Sequence, residues 1–133
     1  MTSTRFTDLV GCERPLQLAG MGDVSTVGLA TAVADAGGLG MLALPTSPAP
    51  SVEVALDALA GRTTGRIGIN FLMPFLDPDC VKVAGGRAHV VEFLYGEPDA
   101  DLVELVYAGH SVDGVHGIQP AAKIVDELLA FVN

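Results

Sequence analysis

Residues 15–44 read PLQLAGMGDVSTVGLATAVADAGGLGMLAL, and this stretch decides which fold the sequence predicts. Residues 15–19 are mostly apolar and form a short predicted strand, which a glycine-containing loop follows. A helix is expected after a cap at Ser25 or Thr26, because apolar residues recur there at helical spacing. The Gly37-Gly38 pair ends that helix, since glycine tolerates the left-handed conformation. Residues 39–44 are continuously apolar, which predicts a strand buried on both faces.

The same alternation of strand and helix continues along the chain. Apolar runs at 65–72 and 89–94 predict two further strands, and helices are predicted over 51–60, 77–85 and 99–108. Ser51 is expected to cap the first of these helices, and the pair Asp77-Pro78 to open the second. A final helix is predicted over 120–132. The sequence therefore predicts an α/β fold of four parallel β/α units plus a C-terminal helix.

Composition limits the class of protein. The chain has 133 residues, which is enough for a single domain and about half of an eight-fold β/α barrel. With 50% hydrophobic and 17% charged residues it is expected to be ordered, yet no apolar run is long enough to cross a membrane. The net charge of −9 argues against nucleic acid and anionic membrane surfaces as partners. No signal-peptide pattern opens the chain, so a cytoplasmic location is expected.

Cysteine and histidine give no metal or catalytic motif. Cys12 and Cys80 are far apart and are expected to be free, buried thiols. His89 begins a predicted strand, where a hydrogen-bonded structural role is expected. His110 and His116 lie in a polar stretch and are expected to be solvated, because their spacing defines no metal site. We therefore assign no metal ligand and no catalytic residue.

Two places could hold a ligand, because ligands bind at the carboxyl ends of parallel strands. The first is the loop of Gly20, Met21 and Gly22, whose glycines permit close approach to a planar or anionic ligand. The loop lacks the spacing of a dinucleotide fingerprint, and a tight turn explains it equally well. The second is Asn70, whose amide can bind a ligand ring or be satisfied by a neighbouring loop backbone. Spacing alone slightly favours the structural role.

Several segments together resemble one protein family. Residues 15–22, with Val24-Ser25-Thr26 and the run Ala34-Asp35-Ala36-Gly37-Gly38-Leu39-Gly40, are similar to the opening of the nitronate monooxygenase (2-nitropropane dioxygenase-like) family. Gly68-Ile69-Asn70-Phe71 and Glu92-Phe93-Leu94-Tyr95-Gly96 resemble the third and fourth strands of that family. The resemblance covers roughly residues 4–108.

The resemblance implies an FMN-dependent TIM barrel that oxidises alkyl nitronates with molecular oxygen, of which this chain would form half. It places Gly20, Met21 and Gly22 against the isoalloxazine ring and identifies Asn70 with the asparagine that touches the flavin. The flavin supplies the redox chemistry in such enzymes, and the protein positions it.

The chain also departs from the family pattern. The motif that carries the catalytic histidine is absent, and so are the later glycine-rich loops that hold the FMN phosphate. Residues 1–108 resemble the N-terminal half of the barrel and 109–133 resemble the C-terminal tail, within a single domain. The pattern is that of an internally deleted member, and we expect impaired or absent activity.

Two other functions remain open from the sequence. A non-catalytic half-barrel would leave sheet edges open, so two copies could pair and close an eight-stranded barrel. A small α/β module could instead bind another phosphate ligand at the loop of residues 20–23.

Overall fold

A computed structural model describes residues 3–107 of the chain, with only the backbone of 104–107. Two single turns of 3-10 helix, Gly22–Val24 and Met73–Phe75, follow the first and third predicted strands. The helices and strands are, in chain order, α1 (Arg5–Val10), α2 (Val27–Asp35), β1 (Leu39–Ala43), α3 (Ala49–Ala60), β2 (Arg66–Leu72), α4 (Pro78–Gly85), β3 (Val90–Leu94) and α5 (Ala100–Tyr107). The predicted helix at 120–132, His110 and His116 lie outside the described residues.

The strands form one parallel sheet in the order β1-β2-β3, which confirms the predicted α/β class. Leu42 is level with Ile69 of β2, and Ile69 is level with Val91 of β3. Each strand agrees with its predicted range to within one residue at either end. The helices connect successive strands, so the described part consists of consecutive β/α units of a partial barrel.

The first predicted strand, residues 15–19, is reduced to a single bridge between Gln17 and Leu39. The Leu18 N–H donates to the Leu39 carbonyl, and the Leu39 N–H donates to the Leu16 carbonyl. Pro15 has no N–H to extend this ladder, and the Ala19 carbonyl instead accepts from the Ser25 hydroxyl. The segment therefore lies beside β1 in a strand-like direction without becoming a regular strand.

The predicted helix boundaries were correct where a side-chain cap decides them. Thr26 caps α2 by accepting from the Leu29 N–H at 3.2 Å, and Gly37 follows the helix with φ +90°. Asp77 caps α4 directly before Pro78 and accepts from the Asp79 N–H at 2.9 Å. These residues set their helix ends locally, without help from the rest of the chain.

Two helix starts differ from the prediction. The helix expected to be capped by Ser51 begins at Ala49, because the proline at position 50 fits the first helical turn and Pro48 takes the capping position. Helix α1 was not predicted. It begins with a reciprocal pair of hydrogen bonds between Thr4 and Thr7, which uses threonine where glutamate is the usual partner.

The main core lies between the helices and one face of the sheet. Gly40 of β1 lets helix α2 approach closely, because a β-carbon there would lie 2.8 Å from the Ala30 carbonyl carbon and closer still to its oxygen. Both cysteines are buried and free, as predicted. The buried core residues are Ala30, Ala34, Leu42, Val52, Leu56, Leu59, Ile67, Ile69, Phe71, Cys80, Val81, Ala84, Ala88 and Leu102.

The other face of the sheet is concave. Gln17 Nε2 donates to Glu92 Oε1 at 3.1 Å, although β1 and β2 lie between the two backbones. In a flat sheet these backbones would be about 14 Å apart and their side chains would stand parallel, so the two groups would not meet. The sheet therefore curls, as the wall of a barrel does. No helix within residues 3–107 has the length and apolar character of a membrane span.

Candidate functional site at the carboxyl end of the sheet

Asn70 and Glu92 occupy adjacent positions on the concave face. They are register partners on β2 and β3, and Asn70 Nδ2 donates to Glu92 Oε2 at 2.8 Å. Gln17 donates to the second oxygen of the same carboxylate. Asn70 is only 1% exposed, so this charge-assisted bond satisfies a buried amide.

The loop after residues 15–19 lies directly on Asn70. A β-carbon built at Gly20 would stand 2.8 Å from both Cβ and Cγ of Asn70, and 3.1 Å from its Oδ1. Only glycine permits this approach without displacing one of the two segments. The structure therefore brings together Gly20 and Asn70, two positions that the sequence marked as separate candidates.

Ser25 fixes the shape of this loop. Its hydroxyl donates to the Ala19 carbonyl at 2.9 Å and accepts from the Met21 N–H at 2.8 Å. Ser25 is buried, and Thr26 rather than Ser25 caps the following helix. The sequence allowed either residue as the cap, and the structure gives the serine a different role, which is to close the loop.

Met21 and Gly22 form the open side of the loop. Met21 is 42% exposed, which is high for a large apolar side chain. Gly22 has φ +47° and no atom within 4 Å of the position a β-carbon would take. An apolar side chain and an accessible stretch of backbone are thus available to a planar ligand beside the buried Asn70.

Sequence reasoning did not identify Glu92 and Gln17 as site residues. The available signal was a glutamate in the middle of the apolar run Val90–Leu94, since a charged residue within a strand is rarely buried unless it is paired. If Asn70 had a structural role, the sequence predicted that its amide would hydrogen-bond to the backbone of a neighbouring loop. The partner is the Glu92 carboxylate, 22 positions along the chain.

Charge is unevenly distributed between the two ends of the sheet. The acidic residues at or beyond the carboxyl half of the strands include Asp23, Asp77, Asp79, Glu92, Glu97, Asp99 and Asp101. Among the described residues, Arg66 begins β2 and Arg87 precedes β3, both at the amino end, and Arg87 pairs with Asp57 at 2.6 Å. Lys82 of α4 pairs with Asp79 on the surface. The carboxyl end is therefore negatively charged.

The amino end of the sheet has a structural histidine and an open cavity. His89 Nδ1 accepts from the Ile67 N–H at 3.2 Å, which confirms the predicted role. Burial, and then the charge of Arg66, lowers the pKa of His89 below its usual value. A cavity of about 460 Å³ lies beside Arg66 and His89, at the opposite end from the carboxyl-end loops. No group of three potential metal ligands occurs in the part of the chain that the structure describes.

The carboxyl-end residues fit one part of FMN better than another. Gly20, Met21 and Gly22 offer backbone and an apolar side chain, which suit the isoalloxazine ring. A phosphate is often bound by basic side chains, and the described basic residue nearest this end, Lys82, is already paired with Asp79 at 2.9 Å. The described residues thus fit the ring and offer no unpaired basic side chain to the phosphate.

Comparison with known proteins identifies related chains. A nitronate monooxygenase from Pseudomonas aeruginosa is 39% identical over 66 residues, which are 50% of this chain and 19% of that protein. A (3aS,4S,5R,7aS)-5-hydroxy-7a-methyl-1-oxo-octahydro-1H-indene-4-carboxyl-CoA dehydrogenase from Mycobacterium tuberculosis is 37% identical over 67 residues, again 50% and 19%. This chain therefore matches only about a fifth of the length of either relative.

A solved structure supports the same relationship. A methionine-to-alanine variant of FabK from Thermotoga maritima superposes with a TM-score of 0.73 at 32% identity, over 80% of this chain and 36% of FabK. The family model described as nitronate monooxygenase matches residues 3–115, which include the loop at Gly20, Asn70 and Glu92. The chain belongs to the nitronate monooxygenase family.

Proposed function

We propose that this chain binds the isoalloxazine ring of FMN at its carboxyl-end loop and is an impaired nitronate monooxygenase-like oxidoreductase. The observation that carries the proposal is the contact of Gly20 with Asn70, which places an exposed Met21 beside a buried, hydrogen-bonded amide. This arrangement occurs in a chain whose family the comparisons establish.

The chain's own residues would bind and orient the ring. The backbone from Gly20 to Gly22 would lie along it, Met21 would cover apolar surface, and Asn70 would hold the loop in place. Bound FMN supplies the redox group that oxidises alkyl nitronates with molecular oxygen. Family resemblance, rather than any contact within the described residues, supports this reaction.

Two missing elements support the impairment. The sequence lacks the family motif with the catalytic histidine and the loops that hold the phosphate. Each charge-assisted hydrogen bond is worth about 1.5–3 kcal/mol, so the loss of several would weaken FMN binding by several powers of ten. We therefore propose weak FMN binding and low turnover, and we assign no residue as the general base.

A fluorescence titration of the full chain with FMN tests the proposal. Quenching with a dissociation constant in the micromolar range or weaker is expected. Met21→Asp should weaken binding at least about tenfold, because it places a charge against the ring. Val54→Asp, on an exposed position of α3, is the matched control and should leave binding unchanged. No quenching by the unaltered chain, or equal loss in both variants, would contradict the proposal.

A second proposal concerns a partner. Among the described residues, no strand pairs with the outer edge of β3, and the concave face is that of an incomplete barrel. We propose that a second copy of the chain covers this edge and completes the barrel. Light scattering after size-exclusion chromatography should give a mass of two copies of 13.7 kDa. A monomer at every concentration would refute the pairing.

Three further proposals concern phosphate ligands, cellular location and macromolecular partners. Binding of a phosphate ligand without flavin is less favoured, because the loop lies at the same end of the sheet as several acidic residues. We propose a cytoplasmic location on the basis of the free thiols Cys12 and Cys80, which are typical of a reducing compartment. We propose no nucleic-acid or membrane partner, because of the net charge of −9.

A further inference from the structure

Glu92 is a charged side chain on the concave face at the level of the candidate site. We infer that Glu92, held in place by Asn70 and Gln17, makes this site select uncharged small ligands over anionic ones. The inference rests on the proposed function and deepens it, because it names the charge class of the ligands that the site binds best. It concerns binding alone and assigns no chemical step to Glu92.

Two amides fix the position of the Glu92 carboxylate. Asn70 Nδ2 donates to Oε2 at 2.8 Å and Gln17 Nε2 donates to Oε1 at 3.1 Å. Both carboxylate oxygens act as acceptors toward the two amides. Asn70 is buried and cannot rotate freely, whereas Glu92 remains partly exposed. The charge is therefore held at one place and reachable by a ligand.

No cation neutralises this charge within residues 3–107. The ion pairs seen within residues 3–107, Lys82–Asp79 and Arg87–Asp57, do not involve Glu92, and its two hydrogen-bond partners are neutral amides. Arg66 and Arg87 lie at the other end of the sheet, and Lys82 is paired on the surface. Neighbouring acids at the carboxyl end add to the negative potential instead of cancelling it.

The consequence for an anionic ligand follows from Coulomb repulsion. A ligand whose negative charge lies about 6 Å from a partly exposed carboxylate binds roughly tenfold or more weakly because of the repulsion. A neutral ligand of the same shape is not weakened in this way. An alkyl nitronate is an anion and its parent nitroalkane is uncharged. The site should therefore bind the nitroalkane better than the nitronate, which adds a cause of impaired nitronate use.

A pair of ligands with one shape and different charge tests the inference. The FMN-loaded full chain is titrated with propionate and propionamide, and the change in the visible flavin spectrum gives both dissociation constants. The ratio of the dissociation constant of propionate to that of propionamide should fall about tenfold in Glu92→Gln. This substitution keeps the shape of the side chain and removes its charge. Glu53→Gln, on the exposed face of α3, is the control and should keep the unaltered ratio.

Varying the salt concentration tests the same charge effect on the unaltered chain, and so does not depend on whether Glu92→Gln folds. Raising sodium chloride from about 0.05 to 0.5 M should reduce the preference of the unaltered chain for propionamide, because exposed charges are screened. A ratio that neither salt nor Glu92→Gln changes would overturn the inference.

The flavin requirement can be separated from the charge preference. If the chain does not retain FMN, the same two ligands are titrated into the apo chain and followed by the ¹H–¹⁵N signals of Gly20 to Gly22. A preference for propionamide that is lost in Glu92→Gln supports the inference even though the proposed function has failed. Equal shifts with both ligands, or no shift with either, overturn the inference.

Discussion

Substituting Gly20 by alanine tests whether the ligand loop depends on Asn70. The added β-carbon would lie 2.8 Å from two carbon atoms of Asn70, whereas ordinary carbon contacts begin near 3.4 Å. One of the segments must therefore move by about 0.6 Å or more. Asn70 is buried and hydrogen-bonded to Glu92, so the movement strains either the loop or that bond.

The size of the effect follows from these contacts. Overpacking of this kind costs about 1–3 kcal/mol, and loss of the bond to the Glu92 carboxylate would add about 1.5–3 kcal/mol. We expect Gly20→Ala to lower the free energy of unfolding by about 2 kcal/mol, and by more if the bond breaks. For a chain of this size, each kcal/mol corresponds to about 3–5 °C in Tm.

Urea denaturation followed by circular dichroism measures this difference. The midpoint should fall in Gly20→Ala with an unchanged slope. Gly28→Ala is the matched control, because a β-carbon at Gly28 in helix α2 would meet the Thr26 hydroxyl at an ordinary distance of 3.9 Å, and alanine favours helices. If the free energy of unfolding of Gly20→Ala is within about 0.5 kcal/mol of that of the unaltered chain, the close contact between the loop and Asn70 is refuted.

Three further predictions concern the scaffold. Gly40→Ala should destabilise the chain by about 3 kcal/mol or prevent folding, because its β-carbon meets the Ala30 backbone; soluble yield and urea midpoints check this. Asp77→Ala removes the cap of α4 and should cost about 1 kcal/mol in the same assay, and an unchanged midpoint would contradict the capping role. The pKa of His89 is lowered by burial and by Arg66, so the unfolded chain binds the proton first as the pH falls below about 6.5. Stability should therefore decrease from about pH 7 to 5, and His89→Asn should flatten that slope; an identical slope in both chains would refute the assignment.

Local residues explain how much of the fold the sequence predicts. Thr26, Asp77 and Gly37 act within a few residues of themselves, and the helix ends they predict are correct. The start of α3 was wrong because Ser51 competes with prolines that already fit the first turn. The segment at 15–19 has strand-like composition, yet whether it pairs regularly depends on residues elsewhere in the chain.

The candidate site was predictable in part for the same reason. The loop at Gly20 and the position of Asn70 follow from the rule that ligands bind where parallel strands end. That the two touch, and that Glu92 and Gln17 complete the group, depends on strand register and on the curvature of the sheet. Gln17 and Glu92 are 75 positions apart, so no local pattern indicates their hydrogen bond.

The central claim is that the carboxyl-end loop, and not the amino-end cavity, binds the flavin ring. Mapping FMN-induced changes in the ¹H–¹⁵N spectrum of the labelled full chain tests it most directly. We predict changes at the backbone amides of Gly20 to Gly22 and at the side-chain amide of Asn70. Changes confined to Arg66, His89 and the rest of the amino-end cavity, or no change with saturating FMN, would contradict the account.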